Sequence, residues 1–524
     1  MSKTVRFRAC LAILAGLALL LVATVHPQEL GTIAFPTSGG AAAQPAFLEG
    51  VKELHSFQFD EAAVAFQKAQ QLDPGFALAY WGEAMSYNHP LWAQVDVPAA
   101  KKALEKLAPS LDARLAKART DKEKAYLQAV DQLFYSSGDK LARDRVYSDA
   151  MARMYERWPD DHEVSILYAL SLLGTVRPGD TGFRRQALAA SIAMKVFQEN
   201  PRHPGAAHFI IHSFDDPDHA ILALAAANAY AQIAPAAAHA LHMPSHIFVQ
   251  LGMWDRVVAS NTVAHKAATD LIARMHLAEG REDFHTLSWL EYGNLMLGKF
   301  DEAKKNVELA RAAADRNRDN RAVRDGYQGM QARYILETAQ WEKIPLESPA
   351  PANNAGPASA PMQGMPGMAA QAAPGYAGNA TWTFIAGFSA AKLNDPATAD
   401  LAAAQLRAMA ERAANAYAAK PFTIMEKEVA AAANLARGRK DDAVRLAKEA
   451  ADVELTLSAP SGPADPIKPA LELYGDVLLA VGRPADAATA FEQQLLRTPN
   501  RTPSLQGLAR ARKEAATQQQ SQVR

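Results

Sequence analysis

Ten of the 14 histidines in this 524-residue chain fall between His203 and His285, and seven lie within the stretch from His203 to Trp254. Imidazole is the side chain that ligates transition metals, moves protons near neutral pH and hydrogen-bonds polar ligands. Concentrated into about a sixth of the length, it marks a local use. Spacing narrows that use. His208 and His212 are four apart, and His239, His242 and His246 stand at i, i+3 and i+7, so each set shares one face of a helix. Two histidines four apart on one helical face are the ligand pair of helical zinc sites. Asp215 and Asp216 follow the first pair, where a carboxylate can orient a ligating ring.

The only cysteine is Cys10, so any metal bound downstream must be held by imidazole, carboxylate or thioether. Lys3, Arg6 and Arg8 precede an apolar run from Ala9 to Val25, the order of a secretory signal. The expectation is an exported, periplasmic protein, with a chain anchored in the inner membrane by residues 1–25 as the alternative if the segment is not cleaved. A net charge of -1 removes the composition argument for nucleic acid as a partner.

Elements that position the histidines must be helices, because Ala-rich amphipathic segments run almost without interruption after a small-residue spacer over 26–45. The segments repeat. Phe59-Asp60-Glu61-Ala62 with Phe66, Ala69 and Pro74 recurs as Gly298-Lys299-Phe300-Asp301-Glu302-Ala303, and again as Gly475, Gly482, Ala487, Phe491 and Pro499; Gly252-Met253-Trp254-Asp255 is a weaker copy. Each copy is a helix-turn-helix whose small residues let two helices approach. On these motifs the chain resembles the tetratricopeptide repeat family over most of residues 46–515. That resemblance implies an all-α, right-handed superhelical solenoid with a concave groove. The expected divisions are a helical array over 46–344, a Pro/Ala/Gly/Met-rich linker over 345–380, further repeats over 381–515 and a disordered tail over 516–524. Residues 93–145 depart from the period while staying helical.

In that family the second, fifth, ninth and twelfth positions of each inner helix line the groove. The resemblance therefore implies that His239, His242 and His246, then His208, His212 and Asp215, then His285 and Tyr292, face it from three consecutive inner helices. Pro244 can kink the helix that carries His239, His242 and His246, or mark its true start, and rotate His239 and His242 away from His246. The block also resembles exported bacterial tetratricopeptide proteins that share HPG-x-x-H and HALHMPSH-I signatures, a set that supplies no reaction. His203 and His219, beside Pro204 and Pro217, read as turn or capping residues, and His265 and His276 as packing or surface.

Outside the block, Glu83, Asn88 and His89 could contribute an acid-base group, and Arg333 could meet an anion. Met362, Met365 and Met368 form a thioether motif suited to Cu(I). Two functions from different classes follow. The first is a transition-metal site, copper or zinc, on His208, His212, His239, His242, His246 and His285. Within it, His208, His212 and His246 with Asp215 behind them would suit zinc hydrolysis, whereas a paired three-and-three arrangement would suit two coppers and redox chemistry. The second is a periplasmic adaptor that takes a peptide, protein or small molecule in the same groove without metal. An adaptor spreads Asn, Lys and Arg over many repeats; here His is concentrated in three.

Overall fold

The structure, a computed structural model, describes residues 29–177, 179–180, 182–274, 276, 283–346 and 378–523. The apolar segment 1–25, Met362, Met365 and Met368 lie outside the described residues. Among the described residues no helix is long and apolar enough to cross a membrane.

The chain is an all-α helical-repeat solenoid. Helices pack on their sequence neighbours almost throughout, and alternate helices also meet: Gln44–His55 on Ala77–Met85, His162–Leu173 on Pro204–Ser213, Phe284–Met296 on Arg321–Thr338, Ala470–Ala480 on Thr502–Val523. The repeat is written in close approaches. The Phe66 ring lies where a Cβ at Gly50 would stand 2.9 Å from it, with Gly82 pressed closer still; Phe491 fills the same place between Gly475, at 2.7 Å, and Gly507. A side chain at any of these glycines must push an aromatic ring out of a packed seam. Gly82→Ala is therefore expected to destabilise the fold by about 1–3 kcal/mol through overpacking, read as a lower urea midpoint.

The turns share a register. A left-handed residue stands two positions before the next helix at Gly252 (φ 63°), Gly298 (69°), Gly438 (74°), Gly482 (81°) and Asn394 (62°). Glycine and asparagine take that conformation readily at a helix C-terminus. In the first turn the position belongs to Phe57 (φ 55°), a buried aromatic.

The array curls until distant repeats touch. Pro204–Ser213 packs on Gln44–His55, and the turn at Asn500 meets the one at Gly252, with Trp254 Nε1 donating to Asn500 O (2.9 Å). From residue 29 the expected spacer is a docked extended strand of chain, with Leu30 and Phe35 buried and Thr32 N donating to Arg202 O (2.9 Å). The irregular region past residue 88 holds a two-residue hairpin, Asn88–His89 with Gln94–Val95, before its helices resume. At the other end the helix Thr502–Val523 runs through the tail expected to be disordered, because its Ala and Gln residues are good helix formers.

Candidate metal centre

His208 and His212 project from the helix Pro204–Ser213, which begins where the His203 side chain accepts the Ala206 N–H (3.2 Å). The His239–His246 segment is two short helices, Ala238–His242 and Pro244–Gln250, broken for one residue at Met243. Proline at 244 removes one amide donor and ends the first helix. Met243 stays in the right-handed helical region (φ -53°, ψ -34°), so the break does not carry His246 away from His242. His285 begins the helix Phe284–Met296, capped by Asp283.

These elements bring the six histidines into two triads. In each, one nitrogen per ring lies within 4.8 Å of the other two: His208, His212 and His239 in the first, His242, His246 and His285 in the second. Nε2 atoms face one another at 3.0 Å between His208 and His239, 3.0 Å between His242 and His246, and 2.9 Å between His242 and His285. The triads adjoin, with the His212 and His246 rings 6.2 Å apart between centroids and those of His239 and His242 6.4 Å apart. His246 thus belongs with His242 and His285 and not with the His208 and His212 pair, because the chain crosses from one triad to the other between His239 and His242.

Hydrogen bonds behind the rings fix their tautomers. His208 Nδ1 donates to the His55 carbonyl (2.6 Å), His242 Nδ1 to Asn261 Oδ1 (2.7 Å), and His246 Nδ1 to Asp215 Oδ2 (2.7 Å). In the neutral rings each proton is then on Nδ1, and the Nε2 lone pairs converge. The buried His212 Nε2 has no hydrogen-bond partner. Ligand bonds of about 2.0–2.1 Å to a common ion span 2.9–3.0 Å at roughly a right angle. Burial holds His208 and His285 down to about 3, and His212, His239 and His242 well below the usual imidazole range, with neighbouring histidines adding to it. These rings are neutral at physiological pH and competent as ligands. His208 and His242 are fully buried; His212 and His285 are half-buried, one at the edge of each triad.

Aromatic walls enclose both. Phe57 lies 4.3 Å from the His208 ring and 5.5 Å from His239, and Trp289 lies 4.5 Å from His246 and 4.9 Å from His242. Gly462, from the C-terminal half, sits against Trp289.

A further cluster stands behind the first triad. Glu163 accepts from His55 Nε2 (2.7 Å) and His203 Nε2 (3.1 Å), all three being buried. Burial opposes its charge, but the two histidines hold its carboxyl well below the usual range. Because His203 Nδ1 is already an acceptor, its Nε2 carries the proton; the cluster is a hydrogen-bonded brace that pins His55, whose carbonyl in turn holds His208. His55, Glu163, Asn261, Phe57 and Trp289 have no spacing signal in the sequence.

The other expected residues do different work. Asp216 accepts from His219 Nδ1 (2.8 Å) in a local turn. Tyr292 accepts from Arg501 (3.2 Å), since the C-terminal repeats fill the surface it was expected to line. Arg333 faces Glu291 at 3.7 Å. Glu83 is taken up by Lys106 (2.6 Å) and Gln70 (2.7 Å). His89 stacks on Phe59 at 4.1 Å, while Trp92, three residues on, stands 6.4 Å from the His239 ring. His265 lies 4.0 Å from Asp283, and His276 is exposed in a turn.

His89 gives a pH test away from the triads. Burial lowers it to about 4, against about 6.5 in an unfolded chain. Between those values the unfolded chain binds a proton that the folded chain does not, so stability falls with acidification through this window. His89→Phe keeps the stack and is expected to shrink the loss of unfolding free energy between pH 7 and pH 5.

No protein-family profile matches the chain, and no curated protein matches it. Solved structures align with it over most of its length: yeast Tom70 at 12% identity, covering 91% of this chain and 89% of that one, TM-score 0.33; the TPR domain of P58(IPK) at 12%, 91% and 99%, TM-score 0.23; and the human IFIT1 dimer with m7Gppp-AAAA at 12%, 88% and 91%, TM-score 0.35. At such scores the superpositions are loose. The repeat assignment rests on the shared turns and glycine seams of this chain itself.

Proposed function

We propose that this protein is an exported, periplasmic transition-metal protein whose two triads each hold one ion, His208, His212 and His239 the first and His242, His246 and His285 the second. The observation that carries the reading is the convergence of Nε2 atoms whose Nδ1 protons are already committed to oxygen acceptors at His208, His242 and His246. Lone pairs facing one another at 3.0 Å in a buried site repel, and a cation between them reverses the sign of that interaction. Six imidazoles without thiolate or carboxylate ligands suit copper or zinc. The three-and-three pairing favours two copper ions and redox chemistry over a single zinc hydrolytic site.

As an enzyme it would need an exchangeable position, and half-buried His212 and His285 give each triad an edge near solvent. Elemental analysis of the chain purified from its native export compartment tests the reading: about two metal equivalents per chain are expected. A wild-type protein without metal, at intact helicity and after reconstitution trials, would replace it with the adaptor reading and turn the search to a bound peptide.

A further inference from the structure

The two triads offer like ligand atoms and differ in what stands behind them. Behind the first, the His208 ring is oriented by a neutral backbone dipole, the His55 carbonyl at 2.6 Å. Behind the second, His246 is held by the Asp215 carboxylate at 2.7 Å, whose side chain is 10% exposed. His242 is held by Asn261, fully buried, and the amide cannot flip without losing its donation to Val257 O (2.8 Å). Gln250 reaches Asp215 Oδ1 (3.4 Å) and the Pro460 carbonyl (2.8 Å), so the loop between the helices Lys440–Glu454 and Ala470–Ala480 is tied over this side. Two of the three rings are thus fixed by side chains, and one has a negative charge directly behind it. A carboxylate hydrogen-bonded to a ligating imidazole raises the basicity of the ring and offsets the charge of an ion in a water-poor site.

We infer that the triads are inequivalent: the carboxylate-backed His242, His246 and His285 site takes the first ion and holds it more tightly, and the His208, His212 and His239 site fills second. Asp215 is then a positioning residue that sets the order of loading. This rests on the reading that the triads bind metal. It adds which triad dominates and why.

Titration of the metal-free full chain with Zn2+ alone, followed by calorimetry and native mass spectrometry, reads the order. The wild type is expected to show two steps. His285→Ala removes the tighter step and His212→Ala the weaker one. Asp215→Asn weakens the tighter step by about 10–100-fold, the usual loss for an outer partner of a ligating histidine, and leaves the weaker one in place; Asp215→Glu recovers part of it. A single two-ion step, loss of the tighter step in His212→Ala, or an Asp215→Asn protein with both steps unchanged or equally weakened overturns the inference. Should Asp215→Asn lose helicity, diethyl pyrocarbonate footprinting of the wild type at one equivalent of Zn2+ gives the same answer. Protection of His285 before His212 supports the order, and His212 first, or both together, refutes it. A wild type that binds no Zn2+ or copper at all sinks the metal reading itself.

Discussion

A chain carrying His212→Ala and His246→Ala together is expected to lose both metal equivalents while keeping its helicity. The pair takes one ligand from each triad, and a missing ligand should cost more than the roughly 10–100-fold that follows from loss of an outer hydrogen-bond partner. Two nitrogens would remain in each site. The metal-free fold does not need these rings to be paired with each other: His212 Nε2 has no partner, and His246 shares its 3.0 Å contact with a second lone pair. The double variant without metal should therefore unfold near the metal-free wild type, shifted mainly by the cavity beside Trp289 and the unanswered Asp215. Added metal tells them apart. An ion at 100 times its dissociation constant stabilises a folded protein by about 2.7 kcal/mol per site, so the wild type should melt higher with metal and the variant should not. An equal rise in both proteins would mean that the ions bind elsewhere.

The second large effect lies far from the triads in sequence. Arg501 is fully buried; it donates to Glu472 (2.8 and 3.1 Å), Glu337 (2.6 Å) and Tyr292 Oη (3.2 Å). One guanidinium so joins three helices, Phe284–Met296, Arg321–Thr338 and Ala470–Ala480, to the start of the last. Arg501→Ala leaves Glu337 buried without its ion-pair partner and Glu472 with Lys468 alone (2.8 Å), a loss of about 3–5 kcal/mol. Chemical denaturation of the metal-free chain measures it, and a change below about 1 kcal/mol would show that water or Lys468 replaces the arginine. Because Gly462 and Pro460 reach the second triad from this half, the variant should also loosen that site more than the first.

How much of this was legible before the structure depends on the range of the interaction. The histidines announced themselves by density and by helical spacing, which are local properties of a chain. A three-and-three pairing was within reach, but which histidines share a triad was not legible, because it depends on where the Ala238–His242 and Pro244–Gln250 helices cross their neighbours. The expected His208, His212 and His246 set follows from reading that segment as one straight face. His55 and Glu163 lie 153 and 45 residues upstream of His208 and carry no periodic mark. Of two adjacent acids, Asp215 supports a ring and Asp216 a turn, and nothing in their spacing separates them. Repeat position places Tyr292 in the groove, but the solenoid folds back far enough that Arg501 occupies its surroundings (3.2 Å), and Arg333 meets Glu291 of the neighbouring repeat (3.7 Å) in place of a free anion. The helical fold itself was legible because its code is repeated, and each copy states it again.

Phe57 holds the place that glycine or asparagine holds in other turns of the array, in a conformation that costs an L-residue with a side chain of order 1–2 kcal/mol. The aromatic ring there walls the first triad, 4.3 Å from His208 and 5.5 Å from His239, and so a single codon separates a repeat that merely stacks from one that encloses the histidines. Comparing position 57 across chains with the same repeat phase would sort those that keep the chamber from those that keep only the scaffold.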